Sequence, residues 1–289
     1  MDKWASWLLH RRDGDDPEQR VKALEHLIPI RNRVLENARL SPGEVLLDVG
    51  AGDGLIAFGA LDLVGLDGRV IVSDVSSDLI GVARKVAIEA NADGRMSFVV
   101  ADAEDLGPIA NGSVDVVTTR SVLIYVADKD SAFRAFHRVL RPGGRISIFE
   151  PINNYFPDDP SEFWGFDASP VRDLVEKIWL AEGWGEESKR NDPMLNFSEK
   201  DLVAIAEKAG FAEVHAKLDV DIEPGSWVVD WDRLMGTSPN PNARTAGESI
   251  AAALTPAEAA RLEHHLRPLV DDGRGIRRMA AAYMVAIKT

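Results

Sequence analysis

Cysteine is absent from the 289-residue chain, and this absence excludes several kinds of site at once. Without thiols the protein forms no disulfide, thiolate metal site, iron–sulfur cluster or cysteine nucleophile. Positive charge is scarce as well, because 33 Lys and Arg stand against 47 Asp and Glu and leave a net charge of -14. Such a charge repels phosphate backbones and anionic lipids, so we expect neither nucleic acid nor a membrane as partner.

Long hydrophobic runs are also missing. No stretch reaches the roughly 18 apolar residues that a membrane-spanning helix needs, and the apolar part of Met1–Arg12 is too short for a signal peptide. We therefore expect a cytoplasmic protein. The six histidines have no metal-ligand spacing, so we predict no metal site and assign them structural or surface roles: His10, His26, His137, His215, His264 and His265.

Residues 1–40 predict an N-terminal helical cap. Asp16, Pro17 and Glu18 supply an N-cap, a proline at the first helical position and an acidic first turn. Pro29 lies inside the apolar periodicity that follows. Because proline lacks the backbone N–H, we expect it to kink or split the helix.

Residues 41–150 alternate between short β-rich runs and helical stretches, the pattern of a parallel sheet with crossover helices. Ser76 or Ser77 and Asp128 are candidate caps of the two later helices. This order favours an α/β fold with a doubly wound, mostly parallel, Rossmann-like seven-stranded sheet. The first five predicted strands are Val45–Val49, Arg69–Ser73, Met96–Val100, Val114–Thr119 and Arg145–Phe149.

Beyond Pro151 the pattern changes. Residues 151–197 are rich in aromatics and prolines without a clear strand, and we interpret them as an insertion or lid. Residues 198–289 predict the rest of the sheet, with strands Glu213–Ile222 and Ala281–Ile287. Capping boxes at Ser198 and Thr255 open two helices, the second inside a helical insertion at about residues 226–275.

The stretch from Val45 to Gly54 carries the strongest functional signal, because a buried strand runs into a glycine-rich turn. Glycines permit a sharp turn and the close approach of a ligand. Asp48 lies at the end of this strand and Asp74 at the end of the next one. Carboxylates at these positions suit the ribose hydroxyls of a nucleotide-like cofactor.

This region resembles the class I S-adenosylmethionine-dependent methyltransferases over residues 41–150 and the later strands. The segments Val114–Leu123 and Arg138–Arg145 are similar to the subgroup that includes the ubiquinone/menaquinone-biosynthesis enzymes. The resemblance implies S-adenosylmethionine as cofactor, S-adenosylhomocysteine as product and a small-molecule acceptor. We add Arg120, at the end of the fourth strand, to the cofactor-binding residues that the resemblance implies: Asp48, Gly50, Ala51, Gly52, Asp74, Asp102 and Ala103.

Candidates for the acceptor side follow the fourth and fifth strands. Where members of the subgroup often carry two histidines, this chain has Ile124 and Tyr125. We take Tyr125 and Glu150 as catalytic candidates, with a solvated acid at the strand end or a loop cap as the alternatives for Glu150. Further candidates for acceptor contact are Asn153, Asn154 and Tyr155.

Tryptophan placement gives a hint about the acceptor, since all seven tryptophans lie outside residues 41–150. Individually they suit helix anchors, but as a group they favour a bulky organic acceptor, aromatic or a natural product, methylated on O, N or C. They are Trp4, Trp7, Trp164, Trp179, Trp184, Trp227 and Trp231.

Two other functions compete with this interpretation. An NAD(P)-dependent oxidoreductase also uses a glycine-rich turn, and Tyr125 and Lys129 match a Tyr-x-x-x-Lys pair, which we interpret as coincidence. A non-catalytic protein that binds S-adenosylmethionine is the second. Arsenite as acceptor is disfavoured by the missing thiols. The oligomeric state is left open.

Overall fold

The computed structural model of the protein describes residues 1–12, 17–226, 228 and 230–289, with the backbone alone for 17–23. A seven-stranded sheet has the order β3-β2-β1-β4-β5-β9-β8. The first five strands are parallel, whereas β9 is antiparallel to both β5 and β8. The strands are β1 Val45–Val49, β2 Arg69–Asp74, β3 Met96–Val100, β4 Val114–Arg120, β5 Leu140–Pro151, β6 Glu162–Phe163, β7 Phe166–Asp167, β8 Glu213–Pro224 and β9 Ile276–Ile287.

Helices cover both faces of this sheet, as the sequence predicts for a doubly wound fold, and the predicted fold class is confirmed. Ser76 and Asp128 cap α4 and α5, and Ser198 and Thr255 form capping boxes for α8 and α11. The helices are α1 Lys3–Ser6, α2 Pro17–Ala38, α3 Leu55–Val64, α4 Ser77–Glu89, α5 Lys129–Val139, α6 Arg172–Ala181, α7 Glu186–Asn191, α8 Glu199–Lys208, α9 Trp231–Gly236, α10 Ala246–Ala253 and α11 Pro256–Asp271.

Two local details differ from the sequence predictions. Pro29 does not split its helix, since α2 continues on both sides of it, and the kink stays a prediction. Beyond the proline, Ile30, Val34 and Ala38 are buried in the core, and this burial offsets the lost backbone hydrogen bond. The predicted N-cap Asp16 lies outside the described residues.

The fifth strand starts earlier than predicted, at Leu140 instead of Arg145. Pro142-Gly143-Gly144 therefore lies inside β5, where the pairing with β4 changes register between Val114 and Val116. The irregularity is stabilised by the end of β9, because Gly143 N–H donates to the Lys288 carbonyl and Lys288 N–H to that of Gly144.

The inserted segments pack against each other and form a cap with its own apolar core. We use "the cap" for residues 162–182 and 226–275. A short β6–β7 hairpin, which the sequence did not predict, turns at Trp164 and Gly165, both with positive φ. Buried members of the cap core include Phe166, Leu174 and Leu262. Within the described ranges, no helix is long and apolar enough to cross a membrane.

Candidate functional site

A cavity of about 900 Å³ opens at the carboxyl edge of the sheet. This volume lies toward the upper limit of small-molecule sites. The ends of five parallel strands line it, and the N-terminal segment and the cap close over it. The strand-end residues are Val49, Asp74, Ala101, Arg120 and Pro151.

The glycine-rich turn after β1 forms one wall. Gly50 has φ +62°, and a Cβ there would lie 2.5 Å from Val122 Cγ2. Gly52 has φ +59°, and its Cβ would lie 3.1 Å from Leu8 Cδ2. Both glycines line the cavity, and Ala51 N–H between them donates to the Ser73 carbonyl at 3.0 Å. Glycine is required here by backbone conformation and by the packing of the neighbouring segments.

Asp48 lies beneath this turn and is 2% exposed. Its carboxylate accepts a hydrogen bond from Thr118 Oγ1 at 2.9 Å and one from Ala57 N–H at 3.0 Å. Burial raises the pKa of Asp48 to about 7, against the lowering effect of those two donors. Asp48 therefore ties β4 and α3 to the turn from below, and its predicted cofactor contact stays a prediction.

Asp74 faces the cavity at the end of β2. One carboxylate oxygen accepts from Gly52 N–H at 2.9 Å and the other from Ser76 N–H at 2.8 Å. Burial raises the pKa of Asp74, while these backbone donors act in the opposite direction. Each oxygen keeps a second lone pair, so the carboxylate can accept two hydroxyl groups of a ligand.

The turn after β3 brings Ala101, Asp102 and Ala103 to the same wall. Ala101 N–H donates to the Asp74 carbonyl at 3.0 Å, which joins this turn to the end of β2. Asp102 is exposed at the rim and accepts from Glu104 N–H at 2.9 Å. We call the wall formed by Gly50, Gly52, Asp74 and Asp102 the cofactor end of the cavity.

Arg120 points into the cavity from the end of β4 and is half-buried. Its guanidinium has neither a hydrogen bond nor an ion pair among the residues that the structure describes. Burial and the nearby Arg12 lower the pKa of Arg120, while Asp53 and Asp48 raise it. An anionic ligand group is the partner that this guanidinium lacks.

The residues at the cofactor end fit S-adenosylmethionine. Asp74 offers acceptors for two ribose hydroxyls, and the unpaired Arg120 suits the carboxylate of the amino-acid part. Asp102 and Ala103 lie where an adenine edge would need an acceptor and a backbone donor.

Tyr125 follows β4 and lines the cavity. Its ring makes edge contacts with Trp4 and Trp7, at centroid distances of 5.2 Å and 6.0 Å. Burial, followed by the charge of Glu150, raises the pKa of Tyr125 to about 12. The phenol is therefore neutral near pH 7 and acts as a hydrogen-bond donor rather than a base.

Glu150 is fully buried and lies outside the lining of the cavity. Its carboxylate accepts from Thr119 Oγ1 at 3.0 Å, Val122 N–H at 3.1 Å and Ile124 N–H at 3.3 Å. Burial raises the pKa of Glu150 to about 7. These contacts favour the loop cap that the sequence allowed, and a catalytic role stays a prediction.

The other acceptor-side candidates are divided. Asn153 lines the cavity and donates from Nδ2 to the Met194 carbonyl at 3.2 Å. Asn154 lines a separate cavity of about 420 Å³ instead. Tyr155 is 46% exposed and is absent from the lining of both.

The Tyr-x-x-x-Lys pair is not arranged for proton transfer. Lys129 Nζ donates to the carbonyls of Val126 and Pro193, each at 3.0 Å, and to Asn196 Oδ1 at 3.2 Å. The Lys129 ammonium thus joins the turn before α5 to the segment before α8. This supports the interpretation of the Tyr-x-x-x-Lys pair as coincidence.

The N-terminal segment, part of the predicted helical cap, crosses the cavity, and sequence reasoning missed the individual contacts that hold it there. Ser76 Oγ donates to Asp2 at 2.6 Å, next to the cofactor end. Trp7 Nε1 donates to the Ser238 carbonyl of the cap at 3.1 Å. The sequence offers one local signal that a helix starts here, because Asp2 is a favourable N-cap residue. In the structure Asp2 caps α1 and accepts from the N–H groups of Trp4 and Ala5.

Cationic residues on the opposite wall were missed as well. Among the described lining residues, every carboxylate belongs to residues 53–104, and those beyond residue 150 are neutral or basic. We call the wall formed by Trp164, Val228, Arg233 and Arg277 the cap end of the cavity. His26 of α2, predicted to be structural, also lines the cavity.

Among the six tryptophans that the structure describes, three line this cavity: Trp4, Trp7 and Trp164. Trp231 is buried in the cap core, and the rings of Trp179 and Trp184 lie 6.4 Å apart. Trp227 lies outside the described residues. The tryptophans thus divide between the cavity wall and the anchoring of the cap.

Comparisons with known proteins agree with this geometry. A family model described as a methyltransferase domain matches residues 47–148. The chain is 35% identical over 116 residues to the ubiquinone/menaquinone biosynthesis C-methyltransferase UbiE of Cellvibrio japonicus, covering 40% of this chain and 46% of that protein. It is 32% identical over 199 residues to an arsenite methyltransferase of Halobacterium salinarum, covering 66% and 46% respectively.

A solved structure supports the fold alone. The putative sarcosine dimethylglycine methyltransferase from Galdieria sulphuraria matches with a TM-score of 0.53 at 15% identity, over 100% of this chain and 99% of that one. The chain spans about half the length of the two curated relatives named above. The resemblance stated from the sequence is confirmed: residues 47–148 match the methyltransferase domain model, and the chain resembles the class I S-adenosylmethionine-dependent methyltransferases of the ubiquinone/menaquinone C-methyltransferase kind.

Proposed function

We propose that the chain transfers a methyl group from S-adenosylmethionine to an O, N or C atom of a small organic acceptor. The observation that carries this proposal is the position of Asp74, whose carboxylate joins the glycine-rich turn to the cavity wall. The same cavity extends to an aromatic and basic wall on the cap. One end thus suits the cofactor, and the other has room for an acceptor.

At the cofactor end, Asp74 binds the ribose hydroxyls, Asp102 and Ala103 meet the adenine edge, and Arg120 pairs with the amino-acid carboxylate. Gly50, Ala51 and Gly52 let the backbone pass close to the ligand. Asp48 and Glu150 act from beneath, because they hold the two turns through backbone and hydroxyl donors. We infer positioning roles for both.

S-adenosylmethionine supplies, when bound, a methyl group already activated on a sulfonium. The chain therefore has to orient the acceptor and exclude water. Trp4, Trp7 and Tyr125 form an aromatic cluster over the cavity that suits both tasks. The Tyr125 hydroxyl donates a hydrogen bond to the acceptor. His26, whose pKa is lowered by burial and then by Arg277, is neutral near pH 7 and is the lining group suited to take a proton.

A methyl-transfer assay tests the proposal. The protein is incubated with S-adenosylmethionine carrying a deuterated methyl group and a panel of phenols, amines and carbon acids, excluding arsenite because the chain has no cysteine. We expect S-adenosylhomocysteine to form together with a trideuteromethylated product, and Asp74→Ala to abolish both. Binding of the cofactor without any product across the panel would favour the non-catalytic alternative.

A further inference from the structure

The cap end of the cavity contains a half-buried guanidinium, Arg233, with two shielded nitrogens that have no protein partner. Arg233, on α9, has Nε and Nη1 shielded from solvent, and neither atom has a hydrogen-bond partner. Arg233 nevertheless lines the cavity, so part of its side chain faces the space where an acceptor would lie. A guanidinium without a partner in such surroundings is costly, because burial removes water and nothing replaces it.

The surroundings of Arg233 show that its charge is not compensated locally. Its neighbours Asp230 and Asp232 are used elsewhere: Asp230 accepts from the Arg233 backbone N–H as the N-cap of α9, and Asp232 pairs with Arg267. On the same wall, Arg277 pairs with Glu223. The four lining carboxylates belong to residues 53–104, on the opposite part of the cavity. Arg233 is thus unpaired in a chain of net charge -14.

Besides Arg277, Ser226 and Thr237, the wall around Arg233 is apolar or aromatic, with Trp164, Val228 and Met194 in the lining. A ligand that satisfies both features has an apolar body and one planar anionic group. Arginine matches a carboxylate because its planar fork donates two parallel hydrogen bonds. A neutral acceptor would leave the guanidinium unpaired.

We propose that the acceptor carries a carboxylate on an apolar body, and that Arg233 recognises this carboxylate. The inference rests on the proposed function, since it specifies the substrate class of that same cavity. Arg120, at the cofactor end, pairs with the cofactor, so the two unpaired guanidinium groups divide the cavity between two anionic ligand groups. The positive cap end also attracts such an acceptor into a site on an acidic protein.

Isothermal titration of the S-adenosylhomocysteine-saturated protein tests the proposal. The probes are three pairs of equal shape and different charge: benzoate and benzamide, 2-naphthoate and 2-naphthamide, and 4-phenylbutyrate and 4-phenylbutyramide. We expect at least one acid to bind about tenfold or more tightly than its amide, as for a charge-assisted bidentate pair. Arg233→Met lowers that affinity to the level of the amide, and Arg233→Lys recovers only part of it.

The matched control is Arg69→Met, which removes the same charge from an exposed position at the start of β2. It should leave the preference for the acid unchanged. Equal binding of all three pairs, or an acid preference that survives Arg233→Met, would overturn the proposal. Failure to bind S-adenosylhomocysteine at all would instead overturn the proposed function.

Thermal unfolding without ligand gives an independent measurement. Because the unpaired charge is unfavourable, Arg233→Met should unfold at the same temperature as the wild type or a few degrees higher. A midpoint several degrees lower would mean that the guanidinium stabilises the fold, and this too would overturn the assignment.

Discussion

The two ends of the cavity achieve their polarity in opposite ways. At the cofactor end, the strand-end carboxylate of Asp74 is buried but already accepts backbone N–H groups from Gly52 and Ser76. At the cap end, Arg233 is half-buried and none of the described residues compensates its two shielded guanidinium nitrogens. The first wall is preorganised by the protein, whereas the second is completed by its ligand.

This difference follows from how each wall is built. The cofactor end consists of turns at the ends of hydrogen-bonded parallel strands, where backbone donors are plentiful and fixed in place. Apart from Arg277 at the start of β9, the cap end consists of helices and a hairpin with a separate apolar core. The side chains of such a wall can be exchanged for others without disturbing the sheet, because one fold can carry different functional sites.

The largest predicted effect is on the free energy of unfolding, which depends on pH because the buried carboxyl group of Asp48 holds a proton beneath the cofactor end. Burial holds the native pKa of Asp48 at about 7, whereas the unfolded chain loses the proton near 3.8. The unfolding free energy therefore falls between about pH 4 and pH 7, by about 4 kcal/mol from this group. Asp48→Asn removes this dependence, since Thr118 can accept from the new amide.

Urea unfolding of both proteins at pH 4.5, 6 and 7.5 measures this effect. The stability of Asp48→Asn relative to the wild type should rise steadily over the series. Asp62→Asn, at an exposed position of α3, is the matched control and should show no pH-dependent difference. A constant difference for Asp48→Asn as well would mean that Asp48 is ionised in the folded protein.

The next largest effect separates the two ends directly. Asp74→Ala removes the acceptor for the ribose hydroxyls and for Gly52 N–H, so we expect affinity for S-adenosylhomocysteine to fall roughly 100-fold, about 2.7 kcal/mol. Arg233→Met should leave that affinity within about twofold. Calorimetry on both variants measures this, and an equal loss in both would remove the distinction between the ends.

A smaller effect concerns the N-terminal segment that joins the two ends. Asp2→Ala removes the N-cap of α1 and the hydrogen bond from Ser76. We expect this to destabilise the docked N-terminal segment by about 1 kcal/mol. S-adenosylhomocysteine should then dissociate about fivefold faster in a stopped-flow experiment. Lys3→Ala, which breaks the exposed bond to Asn242 and a distant 5.8 Å contact with the Trp4 ring but keeps Asp2, is the control. An unchanged rate for Asp2→Ala would show that the segment does not retain the ligand.

The smallest effect is predicted for the Tyr125 hydroxyl in the absence of acceptor. Tyr125→Phe keeps the edge contacts with Trp4 and Trp7, so the unfolding midpoint should move by less than about 2 °C. Tyr125→Ala loses those contacts and should cost about 2 to 4 kcal/mol in chemical unfolding. A large loss in Tyr125→Phe would indicate that the hydroxyl has a structural partner.

The sequence predicted the strands and turns of the cofactor end well because these features are local, while the cofactor contacts of their residues stay a prediction. The bounds of β1 and β3 match the predicted runs, and Asp74 follows from its place at a strand end. Helix caps such as Ser198 were equally readable, since capping depends on neighbouring residues.

The cap end was unreadable because its residues meet only after distant segments pack. His26, Trp164, Arg233 and Arg277 come from four separate elements, and no spacing links them. Pro29 failed as a helix breaker for the same reason, since its cost is offset by tertiary burial. The burial of Glu150 also depends on how the turn after β4 folds over it.

Calorimetric titration of the wild-type protein tests whether the cofactor end binds an adenosyl sulfur compound. S-adenosylhomocysteine and NAD are titrated separately at the same concentration. We predict one site per chain for S-adenosylhomocysteine and no measurable binding of NAD. Binding of NAD without S-adenosylhomocysteine would contradict this prediction and would make the oxidoreductase alternative the better interpretation.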